Sequence, residues 1–132
     1  RDLRMSRGLG DVYKRQGMIS TWDFPDAIYI EHFAIDPSMR QNGLGSKTLT
    51  QLLEKATVPV VLEVELPEEG EMAKRRIGFY KRHGFKEYPE FHYIQPPYSP
   101  DLSSLEMMIM ASAEIDPGHI RDLLYGFVYG AK

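Results

Sequence analysis

IYIEHFAIDPSMRQNGLGSKTLTQLLEKA, residues 28–56, sets the architecture of this chain. Ile28 to Ile35 is a β-branched and aromatic run bounded by Pro25 before it and Pro37 after it, and reads as a strand. Apolar residues fall on both of its faces, Ile30 and Ala34 on one, Phe33 and Ile35 on the other, which predicts a central strand covered on both sides. Asp36-Pro37-Ser38 marks a turn. From Gly43 to about Thr57, Leu49, Leu52, Leu53 and Ala56 recur at i, i+3, i+4 and i+7, the stripe of an amphipathic helix, and Pro59 bars its continuation.

Between strand and helix stands R-Q-N-G-L-G, Arg40 to Gly45. Gly43 and Gly45 carry no side chain to block a ligand, so backbone amides can approach phosphate oxygens closely. Those amides lie at the positive end of a helix dipole, and Arg40 adds a charge-assisted bond, an arrangement that fits a diphosphate. On these six residues alone a plain glycine turn before a helix is an equal reading. Other phosphate loops fit worse: Gly45 is followed by Ser46-Lys47, the reverse of the Walker order, and Thr48 stands where a dinucleotide fingerprint needs its third glycine.

Downstream, V-P-V-V-L-E-V-E-L (Val58 to Leu66) reads as a second strand and Pro67 to Gly70 as a turn. Glu71 to His83 reads as a helix ended by a left-handed glycine cap at Gly84. Strand, helix, strand, helix predicts a right-handed βαβ unit with a parallel strand pair. Phe85 to Tyr93 is expected to hold a strand, Gln95 to Pro100 a proline-rich loop and Leu105 to Met110 another strand, together an antiparallel extension. Ile120, Leu123, Leu124, Phe127 and Val128 follow helical spacing, with Asp116 as N-cap, Pro117 in the first helical position and Gly130 past the end, giving a C-terminal helix over 117–129.

Upstream, residues 1–16 show no periodicity and are set aside as a non-native or disordered tail. D-V-Y-K-R-Q, residues 11–16, resembles translated sequencing adapter. The tail carries five basic and two acidic side chains, so the −3 of the whole chain becomes −6 over residues 17–132. That balance argues against nucleic-acid binding, which needs a basic face to displace counterions. No apolar run of about 18 residues is present, so no membrane span is expected and a cytoplasmic location is. The chain has no cysteine, which removes thiolate chemistry, and the spacing of its four histidines predicts no metal site.

Strand, R-x-x-G-x-G and helix, with F-Y-K-R-H-G-F (Phe79 to Phe85) downstream as a Y-x-x-x-G-F element, resembles the GCN5-related N-acetyltransferase (GNAT) family over roughly residues 27–112. R-R-I-G-F-Y-K-R-H-G-F and the Q-P-P-Y segment resemble a bacterial branch of undefined substrate. The resemblance implies an α/β (α+β) fold: a mixed sheet with a central parallel βαβ unit, two splayed strands and C-terminal antiparallel strands. It implies acetyl-CoA as acyl donor, with no metal, and a primary amine of a small molecule or peptide as acceptor. A homodimer stays open.

In that family the cofactor lies where the two parallel strands splay. Carried over, Phe33 and Ile35 would pair with the pantetheine arm as an added strand. Arg40, Gln41, Asn42, Gly43, Leu44, Gly45 and Ser46 would hold the pyrophosphate, and Tyr80 would protonate the departing thiolate, the other reading being that it packs the inner face of its helix. Glu31 is the first candidate for general base and His32 the second; a solvated glutamate and a core histidine are equal readings. Glu63 and Glu65 alternate on one strand face and could attract the acceptor's ammonium, or could instead meet solvent or pair with Arg75, Arg76 or Lys81. Tyr93, Tyr98 and Trp22 are candidate pocket walls. Two departures stand out: Ala73 occupies a position where many members carry asparagine, and only Met18 to Pro25 could supply the elements that normally precede the first splayed strand, so an N-terminally truncated domain is expected. The alternatives are a catalytically silent acyl-CoA-binding domain of the same fold and an unrelated nucleotide-binding α/β module.

Overall fold

A computed structural model describes residues 18–34, 43–97 and 101–130. The chain divides into two compact units, Arg1–Leu62 and Glu63–Lys132, with the boundary inside one strand.

In the first unit, β1 (Met18–Phe24) and β2 (Ala27–Ala34) form an antiparallel hairpin around Pro25-Asp26. The register runs regularly from Phe24↔Ala27 to Thr21↔Ile30 and then steps to Ser20↔His32. Glu31 is therefore an extra residue, a bulge that bends the strand and re-aims its side chain. Ile28, Tyr29 and Ile30 are all buried, as expected of a strand covered on both faces.

Helix α1 (Leu44–Lys55) follows. It buries Leu49 and Leu52 completely, the i and i+3 positions of the predicted stripe. The chain leaves the helix at Ala56, whose ψ of 135° is extended, and Pro59 precedes β3 (Val60–Glu65). β3 runs parallel to β2 through Ile28↔Val60 and Tyr29↔Val61, and the Ile28 amide donates to the Pro59 carbonyl at 2.9 Å. This is the parallel pair the sequence predicts, with its α1 crossover.

In the second unit, a short 3₁₀ turn (Pro67–Glu69) leads from the end of β3 to α2 (Glu71–Arg82). Ala73, Ile77 and Tyr80 form its buried stripe. Gly84 has φ +89°, and the Phe85 amide reaches back to the Tyr80 carbonyl at 3.1 Å, closing the helix with the expected left-handed glycine.

The strand expected over Phe85 to Tyr93 is two pieces, β4 (Lys86–Glu87) and β5 (Tyr93–Gln95), both antiparallel to β6 (Leu105–Ala111). Glu87 pairs with Met110 and Tyr93 with Met107, six residues of advance against three, so the intervening residues loop out. Pro89 lies in that loop and has no N–H for the ladder. Gln95, assigned to the following loop from sequence, belongs to β5. Met108 to Ala111 are buried on both faces of β6.

At the C-terminus, Asp116 caps α3 (Pro117–Leu123) by accepting from the Gly118 amide at 3.0 Å. The helix predicted over 117–129 then widens into a π-turn (Leu124–Val128), closed by the Tyr129 amide on the Leu124 carbonyl at 3.0 Å. Gly130, at φ +68°, ends it.

Candidate acyl-transfer site

Two side chains meet at the β2 bulge. The indole N–H of Trp22 donates to Glu31 Oε1 at 2.8 Å and fixes the orientation of a half-buried carboxylate. Phe33, two residues on, is half-buried and lies opposite Ile19 of β1. On its edge away from β1, β2 pairs in parallel with β3 at Ile28 and Tyr29. The side chain of His32, and Ile35, Arg40, Gln41 and Asn42, lie outside the described residues.

Gly43 adopts φ +71° immediately before α1 and gives it no side-chain cap, and the first turn contains no acidic residue. A helix begun this way presents its amides without a carboxylate beside them, which suits an anion. Leu44, Gly45 and Ser46 form that first turn, Gly45 and Ser46 half-buried. One turn in, the hydroxyl of Thr48 is buried without a hydrogen-bond partner.

In the second unit Tyr80 is buried on α2, its ring in edge contact with Phe79 and Phe85 at centroid distances of 5.3 and 5.4 Å. Burial pushes its phenol up to about 12, an effect the Arg76 guanidinium partly offsets. The hydroxyl therefore keeps its proton throughout the neutral range, and gives it to a thiolate less readily than an unperturbed phenol would.

Glu63 and Glu65 have separate surroundings. Glu65 is exposed and stands 3.9 Å from Arg76, one of the pairings anticipated from sequence. Glu63 is half-buried and, among the described residues, accepts from Tyr93, Gln95 and Tyr129. The Tyr93 hydroxyl reaches Oε2 at 2.5 Å, Gln95 Nε2 reaches Oε1 at 2.8 Å, and the Tyr129 hydroxyl lies 2.8 Å from Oε1 and 3.0 Å from Oε2. Burial, and then the Glu63 charge, drives the Tyr93 phenol far above its ordinary range. Tyr125, beside Tyr93 in ring contact, donates to the Ile94 carbonyl at 2.6 Å.

The acetyltransferase (GNAT) domain profile matches residues 9–87. The chain belongs to the GNAT family. A GNAT-family protein of Bacteroides thetaiotaomicron, named for acetyltransferase activity, has a solved structure that is 46% identical. It superposes with a TM-score of 0.82 over 88% of this chain and 67% of its own. YjbC of Bacillus subtilis (strain 168), which carries an acetyltransferase name, is 31% identical over 72 residues, 54% of this chain. The match spans 37% of YjbC's length. The ribosomal-protein-S18-alanine N-acetyltransferase of Escherichia coli shares the fold at 24% identity and TM-score 0.50, covering 70% of this chain and 57% of its own.

Family membership removes the unrelated nucleotide-binding module from consideration. Within the GNAT frame, the mixed sheet with its parallel β2–β3 pair is the expected architecture. Two members of the Glu63 cluster escaped sequence reasoning. The sequence places Gln95 in a loop and Tyr129 at the end of a helix; the signals for them are the Tyr93-x-Gln95 alternation of a strand and the Tyr125/Tyr129 spacing of one helix face. Among the described residues, no helix is long and apolar enough to cross a membrane.

Proposed function

We propose that this GNAT chain transfers an acetyl group from acetyl-CoA to a primary amine by direct attack in a ternary complex. The observation that carries the reading is the GNAT domain match over residues 9–87, on a β2 strand that pairs with β3 at Ile28 and Tyr29 and runs on to Ala34. A pantetheine arm can add there as an extra strand, bonding the backbone around Phe33 and Ile35. The α1 start suits the pyrophosphate: left-handed Gly43, no first-turn carboxylate, and Arg40 to Ser46 supplying amides and one guanidinium.

The amine must first lose a proton, because an ammonium has no lone pair. Glu31, oriented by Trp22, takes it. The amine nitrogen then bonds to the thioester carbonyl carbon, the C–S bond breaks, Tyr80 supplies a proton to the departing thiolate, and the second proton shed by the nitrogen as it becomes an amide restores the Tyr80 hydroxyl. Glu63, with Glu65 beyond it on the same strand, attracts the cationic acceptor.

Acetyl-CoA offered to the full-length protein with a panel of primary amines should release free thiol in proportion to amine, measured with a chromogenic disulfide. Cofactor binding without amine-dependent thiol release would replace this reading with that of a silent acyl-CoA-binding domain.

A further inference from the structure

Tyr93, Gln95 and Tyr129, as donors to Glu63, differ in how firmly they are held. Tyr93 is fully buried in β5, its hydroxyl 2.5 Å from Oε2, and Gln95 projects from the same strand. Tyr129 comes from the chain's other end, one residue past the π-turn and one before the left-handed Gly130. Its single proton is shared between two oxygens at 2.8 and 3.0 Å, and one proton cannot lie straight along both directions. Like Glu63, Tyr129 is half-buried.

We propose that Tyr129 is a resident competitor for the acceptor's ammonium, and so a residue that sets specificity. This rests on Glu63 being the acceptor's carboxylate. A phenol is a neutral donor. An alkylammonium brings three N–H donors and a full positive charge, and charge-assisted bonds to a carboxylate are about twice as strong as neutral ones. An ammonium displaces Tyr129 from Glu63, whereas an alcohol of the same length exchanges one neutral hydroxyl for another and gains nothing. The site thereby selects cationic amines over neutral nucleophiles. Displacement also removes the tether between Glu63 and the end of the C-terminal helix, so acceptor binding loosens residues 124–130. Tyr125, bonded to the Ile94 carbonyl, retains the preceding turn.

The test uses the full-length protein at pH 7 with n-butylammonium chloride, and n-butanol as the neutral control. Hydrogen exchange at the Tyr129 amide, which closes the π-turn on Leu124, should quicken severalfold with butylammonium and stay unchanged with butanol. Tyr129→Phe should bind butylammonium about three- to tenfold more tightly, the factor one neutral hydrogen bond is worth. Glu63→Gln keeps one acceptor oxygen but no charge, and should lose the binding. Butylammonium bound with exchange at 124–130 unchanged would overturn the proposal, as would equal affinity in Tyr129→Phe. Failure of butylammonium to bind even Tyr129→Phe would overturn it at Glu63. Amine-dependent thiol release, measured separately, would still stand or fall by itself.

Discussion

Trp22 and Glu31 are joined across a β-bulge, the indole N–H of one 2.8 Å from the carboxylate of the other. The extra residue in β2 is the glutamate itself, so the hydrogen bond fixes a side chain whose direction the backbone irregularity has already changed. If Glu31 is the base, Glu31→Gln should lower thiol release about a hundredfold or more, the usual range for a positioned acid or base. Trp22→Phe should leave the base in place but loosely held and cost much less. The two kcat values, with acetyl-CoA affinity as control, check both; equal losses would make Trp22 a packing residue and remove Glu31 from the chemistry.

Tyr80→Phe should slow turnover without abolishing cofactor binding. Because the phenol is raised to about 12, the alkaline limb of the wild-type pH–rate profile below pH 11 should persist in the variant. Disappearance of that limb in Tyr80→Phe would mean the hydroxyl titrates near its ordinary value. Unchanged kcat would take Tyr80 out of the acid role.

The same shift makes stability depend on pH. Above pH 10 the unfolded chain loses the Tyr80 proton while the folded chain keeps it until about 12, so the unfolded state binds fewer protons and stability falls as pH rises through that window. A two-unit shift corresponds to roughly 2–3 kcal/mol. Tyr93 pulls in the same direction. Urea unfolding at pH 9 and pH 11.5 should therefore show a smaller alkaline loss in Tyr80→Phe than in wild type.

At Gly43 a Cβ would meet nothing within 4 Å, yet φ +71° is strained for any L side chain. Gly43→Val should cost about 1–2 kcal/mol of stability from backbone strain alone. It should also weaken acetyl-CoA binding by more than that strain explains, which calorimetric titration alongside denaturant unfolding would separate. Unaltered affinity would sink the phosphate-turn reading.

Thr48 and Leu52 lie on the same helix and are both buried, but with opposite consequences. Thr48→Val removes an unpartnered hydroxyl at nearly constant shape and should be neutral or stabilising, since an unmade buried bond costs about 1–3 kcal/mol. Leu52→Ala opens a cavity and should destabilise by about 2–5 kcal/mol. Thermal unfolding of the two variants tests the contrast.

The βαβ core was legible in the sequence because its signals are local: the Leu49/Leu52 spacing, Pro59 as a stop, Gly84 as a cap. Gly43 was readable as a special backbone position for the same reason. The Glu31 bulge was not, since a bulge is a mismatch between two strands and no single stretch records it. Nor was the Glu63 cluster, whose members come from β3, β5 and the end of the C-terminal helix and meet only through pairing over long sequence separations. Pro89 did carry a local warning that a strand over Phe85 to Tyr93 would break.

If Glu63 is the acceptor's carboxylate, the six-against-three advance between β4 and β5 ties the register of one short strand to the chemistry. Side chains alternate along a strand, so β5 presents Tyr93 and Gln95 to Glu63 and turns Ile94 away. Sliding β5 by one residue along β6 would present His92 and Ile94 instead. Such a slip, taken up by the loop between Tyr88 and His92, would exchange a hydroxyl-and-amide lining for an imidazole and a hydrocarbon with no substitution at any residue that faces Glu63.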